Sequence, residues 1–532
     1  MTPAQHTGTD PVDERSRSGW ARHLGVDVAH LATARLRDQL TAGTLPAAFS
    51  ASAANRPEAT LRIAGESITH GELAERVARS AAAFAAIGVR ARGRVLLCAH
   101  PALDWVVAYL GLLHCGAVVV LANPAYTARE LDHLLSASSA RTAVVNAAAQ
   151  RTLAGRVALV ELTSVARAAG SSAPCPATID PDDPALIAFT SGTSGAPKAV
   201  PLSHAMLLSS IRGVMQAWRW QRTDVLVHTL PLFHQHGLGG LHATLLAGSH
   251  AVLLPRLDPA ELVRTIAAER ATVLFGVPAL YERLLALEPD LLAPLRGLRL
   301  LTSGSAPLAP RLARRVGAVL GQLPLERYGL TETGLDLSNP YDGPRVPGTV
   351  GIPLPGVEVR VITPAGDPCP AGTDGEIVMR GPQVFRGYLD DEPATTASFS
   401  DGWFRTGDLG RWDRESGHLV ISGRLKEIII TGGLNVAPRE VELVLEEIPA
   451  VREAAVAGLP DERWGEQVTA WVVPQPGGDL DLEALHAHCR SRLAAFKCPK
   501  QVRVVSSLPR NALGKVVRGE LGALQTARED RG

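Results

Sequence analysis

The sequence predicts an α/β protein: a large N-terminal domain built on two α/β sheets plus a small β unit, followed by a smaller α+β C-terminal domain. Three observations carry this. Short β-branched runs alternate with longer alanine- and leucine-rich segments of helical period, the pattern of buried parallel strands covered by helices. After about residue 345, Gly and Pro punctuate the strands every few residues, as in VGIPLPGVEVRVITPAGDPCPAGTDGEIVMRG, which marks an antiparallel β unit. A length of 532 residues also exceeds what one hydrophobic core supports.

Residues 1–45 are polar and of mixed charge, opening MTPAQHTGTDPVDERSRSGW, and are read as a tail and lead-in without the apolar stretch of a secretory signal. The large domain then runs over 46–424. Its strands are expected at Arg94–Cys98, Ala117–Leu121, Thr142–Asn146, Ala251–Leu254 and Thr272–Phe275, with helices at Gly71–Ile87 and Pro259–Arg270. The segment WVVAYLGLLHCGAVVVLA, Trp105 to Ala122, is apolar enough to suggest a membrane span. His114, Cys115 and Gly116 interrupt it, so it divides into a helix and a β-branched buried strand. The β-rich unit spans 345–422. From 425 to 532 a short strand at Ile428–Ile430, a Gly-Gly turn and a helix from Pro438 to Glu447 begin a section long enough to be a domain of its own.

Composition excludes several classes. With 53 basic and 53 acidic side chains the formal net charge is zero, which argues against a nucleic-acid or acidic-membrane partner. Six cysteines stand at 98, 115, 175, 369, 489 and 498 without the paired spacing of a zinc or redox site, and read as reduced thiols of a cytoplasmic enzyme. The basic set is lopsided: five lysines against 48 arginines. A lysine kept amid so many arginines marks a place where a compact ammonium on a flexible stem is wanted. Three of the five, Lys198, Lys426 and Lys515, fall in the chain's most motif-like segments.

The first of these is ALIAFTSGTSGAPKAV, residues 185–200: a buried strand, then Thr190, Ser191, Gly192, Thr193, Ser194 and Gly195, then Lys198. Glycines let successive N–H groups turn into one concavity, hydroxyls add donors, and the lysine supplies a mobile counter-charge, so the segment reads as a phosphate loop. It is not a Walker loop, because no Ser or Thr follows the lysine to hold magnesium.

TSGTSGAPK resembles the signature loop of the adenylate-forming superfamily, which includes acyl-CoA synthetases, luciferases and peptide-synthetase adenylation domains, and the likeness extends over nearly the whole chain after about residue 45. ERYGLTETG (326–334) offers an aromatic ring, a hydroxyl and a carboxylate suited to magnesium. By resemblance Tyr328 lies near adenine with Gly329 beside it, Thr331 contacts the α-phosphate, and Glu332 holds the metal. The turn Gly304, Ser305, Ala306 would touch adenine. DGWFRTGD ends in Asp408, a carboxylate able to accept both hydroxyls of a ribose, and GRLKE adds Arg424 as a second nucleotide contact. The resemblance makes Lys426 the hinge of a mobile C-terminal domain and Lys515, in RNALGK, the catalytic lysine bridging the substrate oxyanion and the α-phosphate. In LPLFHQHGLGG, His234 and His236 border the acyl pocket. They lack the Asp, Glu or Cys at ligand spacing that a metal site needs.

The implied activity is an ATP- and Mg2+-dependent ligase that forms an acyl-adenylate from a small or aromatic carboxylic acid and passes the acyl group to coenzyme A. Only 17 residues follow Lys515, so no fused carrier domain is expected. LPLFHQHGLGG, LFGVPALYERL and LSNPYDGPRVPGTVGIPLPG look most like malonyl-CoA synthetases, which would imply a second carboxylate held by an arginine. Asp336 is expected near the acyl pocket, where an anion would repel that carboxylate and favour an amine. Ala199 also replaces the glycine usual after the loop lysine. Two alternatives therefore stand: a diazotase-type relative in secondary metabolism that activates nitrite for transfer to an aromatic amine, and a non-catalytic nucleotide-binding regulator. Oligomeric state is left open.

Overall fold

The computed structural model describes residues 12–169, 178–190, 197–461, 463–477, 480–510, 515–524 and 528–531. Its architecture is mixed α/β, with a large N-terminal domain of sheets and a smaller C-terminal domain. One sheet has six strands in the order Ala158–Glu161, Thr142–Val145, Arg94–Cys98, Val118–Leu121, Pro184–Phe189, Ala199–Ser203. All its pairs are parallel except the last. A second sheet of nine strands is parallel through its centre, from Thr60–Ile63 to Leu325–Tyr328, and antiparallel at both margins. The two pack around a common core that includes Phe49, Leu97, Trp105 and Leu226.

The β-branched runs form strands because they are buried on both faces: Val118–Leu121 is covered throughout. Helix His70–Ala86 starts at a capping box in which the Thr69 side chain accepts from the Glu72 N–H and the Glu72 carboxylate accepts from the Thr69 N–H. The apolar stretch from 105 to 122 divides into helix Leu103–His114 and strand Val118–Leu121. Among the described residues no helix is long and apolar enough to cross a membrane.

The region read as a polar tail contains two packed helices. Helices Glu14–Leu24 and Thr33–Thr41 lie on the large domain with their own small core of Trp20, Leu31, Leu36 and Leu40. Trp20 is fully buried and donates Nε1–H to the Val357 carbonyl at 2.7 Å. Apolar residues at helical spacing make the packing, although the average composition is polar.

The β unit is a five-stranded antiparallel sheet containing Glu358–Ile362, Gly375–Arg380, Trp403–Trp412 and Leu419–Arg424. Beyond it, a six-stranded mixed sheet carries a separate buried cluster that includes Val441, Leu445, Val468, Val472 and Val502. Arg311, on helix Pro310–Leu320 of the large domain, reaches this last unit, its Nη1 donating to the carbonyls of Ile448, Pro449 and Val451 at 3.3, 3.2 and 3.4 Å.

Candidate active site

Several parallel strands end on one cavity of about 520 Å³, as ligand sites of α/β sheets usually do. The hairpin between Pro184–Phe189 and Ala199–Ser203 brings Thr190 and Lys198 to its wall. Their backbones close the base of the loop: the Thr190 N–H donates to the Lys198 carbonyl, and the Lys198 N–H to Thr190 Oγ1, both at 3.1 Å. Lys198 Nζ sits 4.5 Å from the centre of the Tyr388 ring, a cation–π contact between two residues that line the cavity. Ser191, Gly192, Thr193, Ser194 and Gly195 lie outside the described residues.

The turn after strand Leu325–Tyr328 supplies the next wall. A Cβ at Gly329 would stand 1.9 Å from the Gly334 carbonyl oxygen, so only glycine permits this tight loop. Gln235 Nε2 donates to the Thr331 carbonyl at 2.6 Å. Glu332 is held by the Tyr388 hydroxyl, which donates to Oε1 at 2.8 Å. Burial raises its pKa, and that hydrogen bond opposes the rise. The second carboxylate oxygen suits magnesium, which binds through one or two carboxylates together with phosphate oxygens and water.

Strands Trp403–Trp412 and Leu419–Arg424 pair Asp408 with Arg424 across the ladder, and Arg424 Nε meets Asp408 Oδ1 at 3.0 Å. The Tyr328 hydroxyl donates to Asp408 Oδ2 at 2.5 Å. Asp408 is thus buried with its acceptors engaged by two groups, and burial raises its pKa while Arg424 lowers it.

From the C-terminal unit comes Lys515, pinned by an isolated bridge between Arg510 and Val516. It lines the cavity together with Lys426, Arg424, His234 and Glu332. Burial depresses the Lys515 ammonium first and Arg424 second, while Asp408, Glu427 and Glu332 oppose. Burial and then the Lys515 charge bring His234 down to about 4, leaving a neutral imidazole at neutral pH. His236 turns its Nδ1 to Ser305 Oγ at 3.1 Å. Ser305 lines the cavity at φ +66°, with Gly304 and Ala306 flanking it. No cluster of three potential metal ligands from His, Cys, Asp and Glu occurs among the described residues.

Residues 49–389 match the AMP-binding enzyme family, and residues 440–515 match its C-terminal domain. The chain belongs to the AMP-binding enzyme family. Within this family it is an AMP-forming acid–thiol ligase, resembling the malonyl-CoA synthetases. It is 35% identical over 487 residues to an oxalate–CoA ligase of Arabidopsis thaliana, covering 86% of this chain and 94% of that one. A feruloyl-CoA synthase of Streptomyces sp is 36% identical, covering 87% and 96%. The crystal structure of ATP-bound MatB from Rhodopseudomonas palustris superposes with a TM-score of 0.85 at 37% identity, covering 90% of this chain and 98% of that one.

For a member of this family one sequence expectation needs correction. Asp336, expected near the acyl pocket, is not among the residues that line the cavity. Its N–H pairs with the Tyr328 carbonyl at 3.0 Å, which turns the side chain inward. There it is fully buried, accepting from the Thr333 hydroxyl and, at 3.3 Å, from Gln383 Nε2. Burial lifts its pKa to about 7. Sequence reasoning also missed Arg327, Tyr388 and Gln235. Arg327 stands inside the ERYGLTETG segment and lines the cavity, 7% exposed, with Nε and Nη2 making no hydrogen bond. Burial lowers its pKa to about 9, so it keeps its charge at neutral pH. A Cβ at Gly304 would lie 2.4 Å from Arg327 Nε, so glycine is what lets this arginine pass. Tyr388 has no local motif; packing of the β unit brings it in.

Proposed function

We propose that the protein couples ATP cleavage to activation of a carboxylic acid bearing a second polar or anionic group, and then transfers the acyl group to coenzyme A. The observation that supports this best is the meeting of Lys198, Glu332 and Lys515, drawn from three separate parts of the chain, on one cavity that is also lined by Arg327, whose Nε and Nη2 make no hydrogen bond. The relatives named for oxalate, malonate and ferulate are all ligases of carboxylic acids.

In the first half-reaction a carboxylate oxygen of the acid attacks the α-phosphorus of ATP, the bond to the β-phosphate bridge breaks, and pyrophosphate leaves. Lys515 stabilises charge growing on the carboxylate and α-phosphate oxygens, and the buried setting strengthens that interaction. Lys198, with the loop from Thr190 to Gly195, holds the departing phosphates. Thr331 borders the α-phosphate, and Tyr328 with Gly304, Ser305 and Ala306 receives the base. Asp408 and Arg424 receive the ribose, which replaces the Tyr328 hydroxyl as partner of the carboxylate. Glu332 is the residue that would hold Mg2+, which neutralises the triphosphate. His234, neutral, positions the acid and borders the path of the thiol, and His236 fixes Ser305 beside it. In the second half-reaction the domain from 425 onward turns about Lys426, withdrawing Lys515, and the thiol attacks the acyl carbonyl to release AMP.

Arg327 supplies the counter-charge for a second group on the acid. Asp336 lies outside the cavity lining, which weakens the motive for a nitrite-activating reading, and its carboxylate, when ionised, offsets part of the Arg327 charge. A panel of mono- and dicarboxylic acids, assayed for acid-dependent pyrophosphate release and then for thioester with coenzyme A, tests the proposal. ATP binding without release by any acid would support the non-catalytic regulator instead. AMP formed only with nitrite and an aminobenzoate would support the diazotase.

A further inference from the structure

The cavity does not end at the reacting carboxylate. One part of it, here called its arm, is lined by helices His204–Ala217 and Gln235–Ala247 through Met206, Leu207, Ile211, Val214, Leu238 and Ala243. These side chains are apolar, and none can contact a phosphate or a metal usefully. Two features of the second helix point to an occupant.

The first is Gly239, in mid-helix with an ordinary negative φ, on the cavity wall. A Cβ there would meet no atom within 4 Å, so sterics do not require glycine. Glycine costs a helix interior about 1 kcal/mol relative to alanine. What its absent side chain provides is open volume in the arm.

The second is His242, one turn along on the same wall and 3% exposed. Burial holds its imidazole neutral, with the pKa brought down to about 3. Its Nε2 lies 2.9 Å from the hydroxyl of Tyr109, which is itself fully buried and stacked on Trp105 at 5.3 Å. Nε2 is the acceptor available to that buried hydroxyl among the described residues. A hydroxyl proton left without an acceptor there would be costly, so Tyr109 donates and Nε2 accepts. The proton of the neutral ring then sits on Nδ1. That N–H makes no hydrogen bond to the described residues, although the side chain borders the cavity.

We propose that this arm receives the distal part of the acid and that His242 Nδ1–H donates a hydrogen bond to an oxygen there. The preferred acid then has an elongated, mainly apolar body of roughly aromatic size, ending in a hydroxyl or carbonyl oxygen. His242 is a specificity-determining residue, Tyr109 a positioning residue that sets its tautomer, and Gly239 the opening. This assignment rests on the ligase reading above.

The test measures pyrophosphate release by the full-length protein with ATP and Mg2+ but without coenzyme A, so that only the acid reports. The acids are acetate, malonate, phenylpropanoate and para-hydroxyphenylpropanoate. Burying a phenyl group predicts a kcat/KM at least ~10-fold above that of acetate. One hydrogen bond predicts a further ~5-fold preference for the hydroxylated acid. His242→Phe is expected to abolish the second preference, Tyr109→Phe to weaken it by freeing the tautomer, and His242→Gln, which keeps a donor, to retain part of it. Gly239→Leu is expected to lower the ratio of arm-filling acid to acetate by more than ~10-fold. Gly239→Ala, a better helix former, is expected to lower it less while raising the melting temperature, so poor folding cannot imitate the result. Release with acetate or malonate but no gain from an aromatic body, or a Gly239→Leu defect equal for all acids, overturns the assignment. Failure of every acid brings down the ligase reading itself.

Discussion

Replacing Asp336 by asparagine separates burial from pocket chemistry. The carboxyl is fully buried, and desolvation raises its pKa from an ordinary 3.8 to about 7 against hydrogen bonds from Thr333, Gln383 and the Leu330 region. Between those two values the native state binds a proton that the unfolded chain has lost. The contribution of this carboxyl to stability is therefore greatest below about pH 4, declines as pH rises towards 7, and is lost above it. Ionising such a group in a site able to relax costs on the order of 2–4 kcal/mol. Asparagine removes the cost. The Thr333 hydroxyl can rotate to accept from the new amide, and the Gln383 amide already donates to the other oxygen. Asp336→Asn should therefore melt a few degrees above wild type at pH 8, with the gain absent or reversed at pH 4.5, in thermal unfolding followed by circular dichroism. A gain of equal size at both pH values would refute the reasoning. Because the side chain turns away from the cavity, KM for a dicarboxylic acid should stay within about twofold. A fall of more than tenfold would show that the carboxylate does face the acid.

Other consequences are as direct. Lys515→Ala should cost adenylate formation ~100-fold or more while leaving thiolation of a supplied acyl-adenylate nearly intact; equal losses in both half-reactions would contradict rotation about Lys426. Arg311→Ala removes a guanidinium shared among three carbonyls of the C-terminal unit, worth ~1 kcal/mol, and should slow adenylation about fivefold without slowing thiolation. Since His234 sits at about 4, no acid limb near pH 6.5 in adenylation should depend on it; a limb there that vanishes in His234→Ala would place the imidazole in a different setting. Trp20→Ala empties a fully buried site and should cost ~3–5 kcal/mol, visible as earlier proteolysis of the segment from 12 to 45.

What the sequence made legible follows from which physics is local. Strands such as Arg94–Cys98 and Val118–Leu121 announce themselves because burial on both faces demands an unbroken apolar run. Trp105 to Ala122 resolved correctly because a helix and a strand differ in period even when both are apolar. The N-terminal helices were hidden because four apolar residues suffice to dock them, and the polar remainder dominates any average. Arg327 was overlooked inside a quoted motif. In a strand its neighbours Glu326 and Tyr328 point to the opposite face, and which face meets a cavity depends on the sheet. Asp336 failed for the same reason in reverse: closeness to TETG along the chain says nothing of direction, and one backbone pairing with Tyr328 turned it into the core.

The lysine scarcity gains a physical meaning from the cavity. Lys198, Lys426 and Lys515 all line it, whereas Lys497 pairs with Glu440 at 2.7 Å and Lys500 donates to the Ala495 carbonyl at 3.2 Å within the C-terminal unit. Arg327 and Arg424 also line the cavity, so positive charge alone does not explain why three lysines stand there too. The arginines have fixed stations, one against Gly304 and one on Asp408, where a planar fork suits a site that does not move. In the proposed mechanism the lysines belong to the parts that must adapt: a loop that follows phosphates, a hinge, and a residue carried in and out by a rotating domain. A compact ammonium keeps its contact while its direction changes, and a fork loses its paired geometry. On this reasoning the division between arginine and lysine in the cavity separates the rigid part of the site from the part that moves between the two half-reactions.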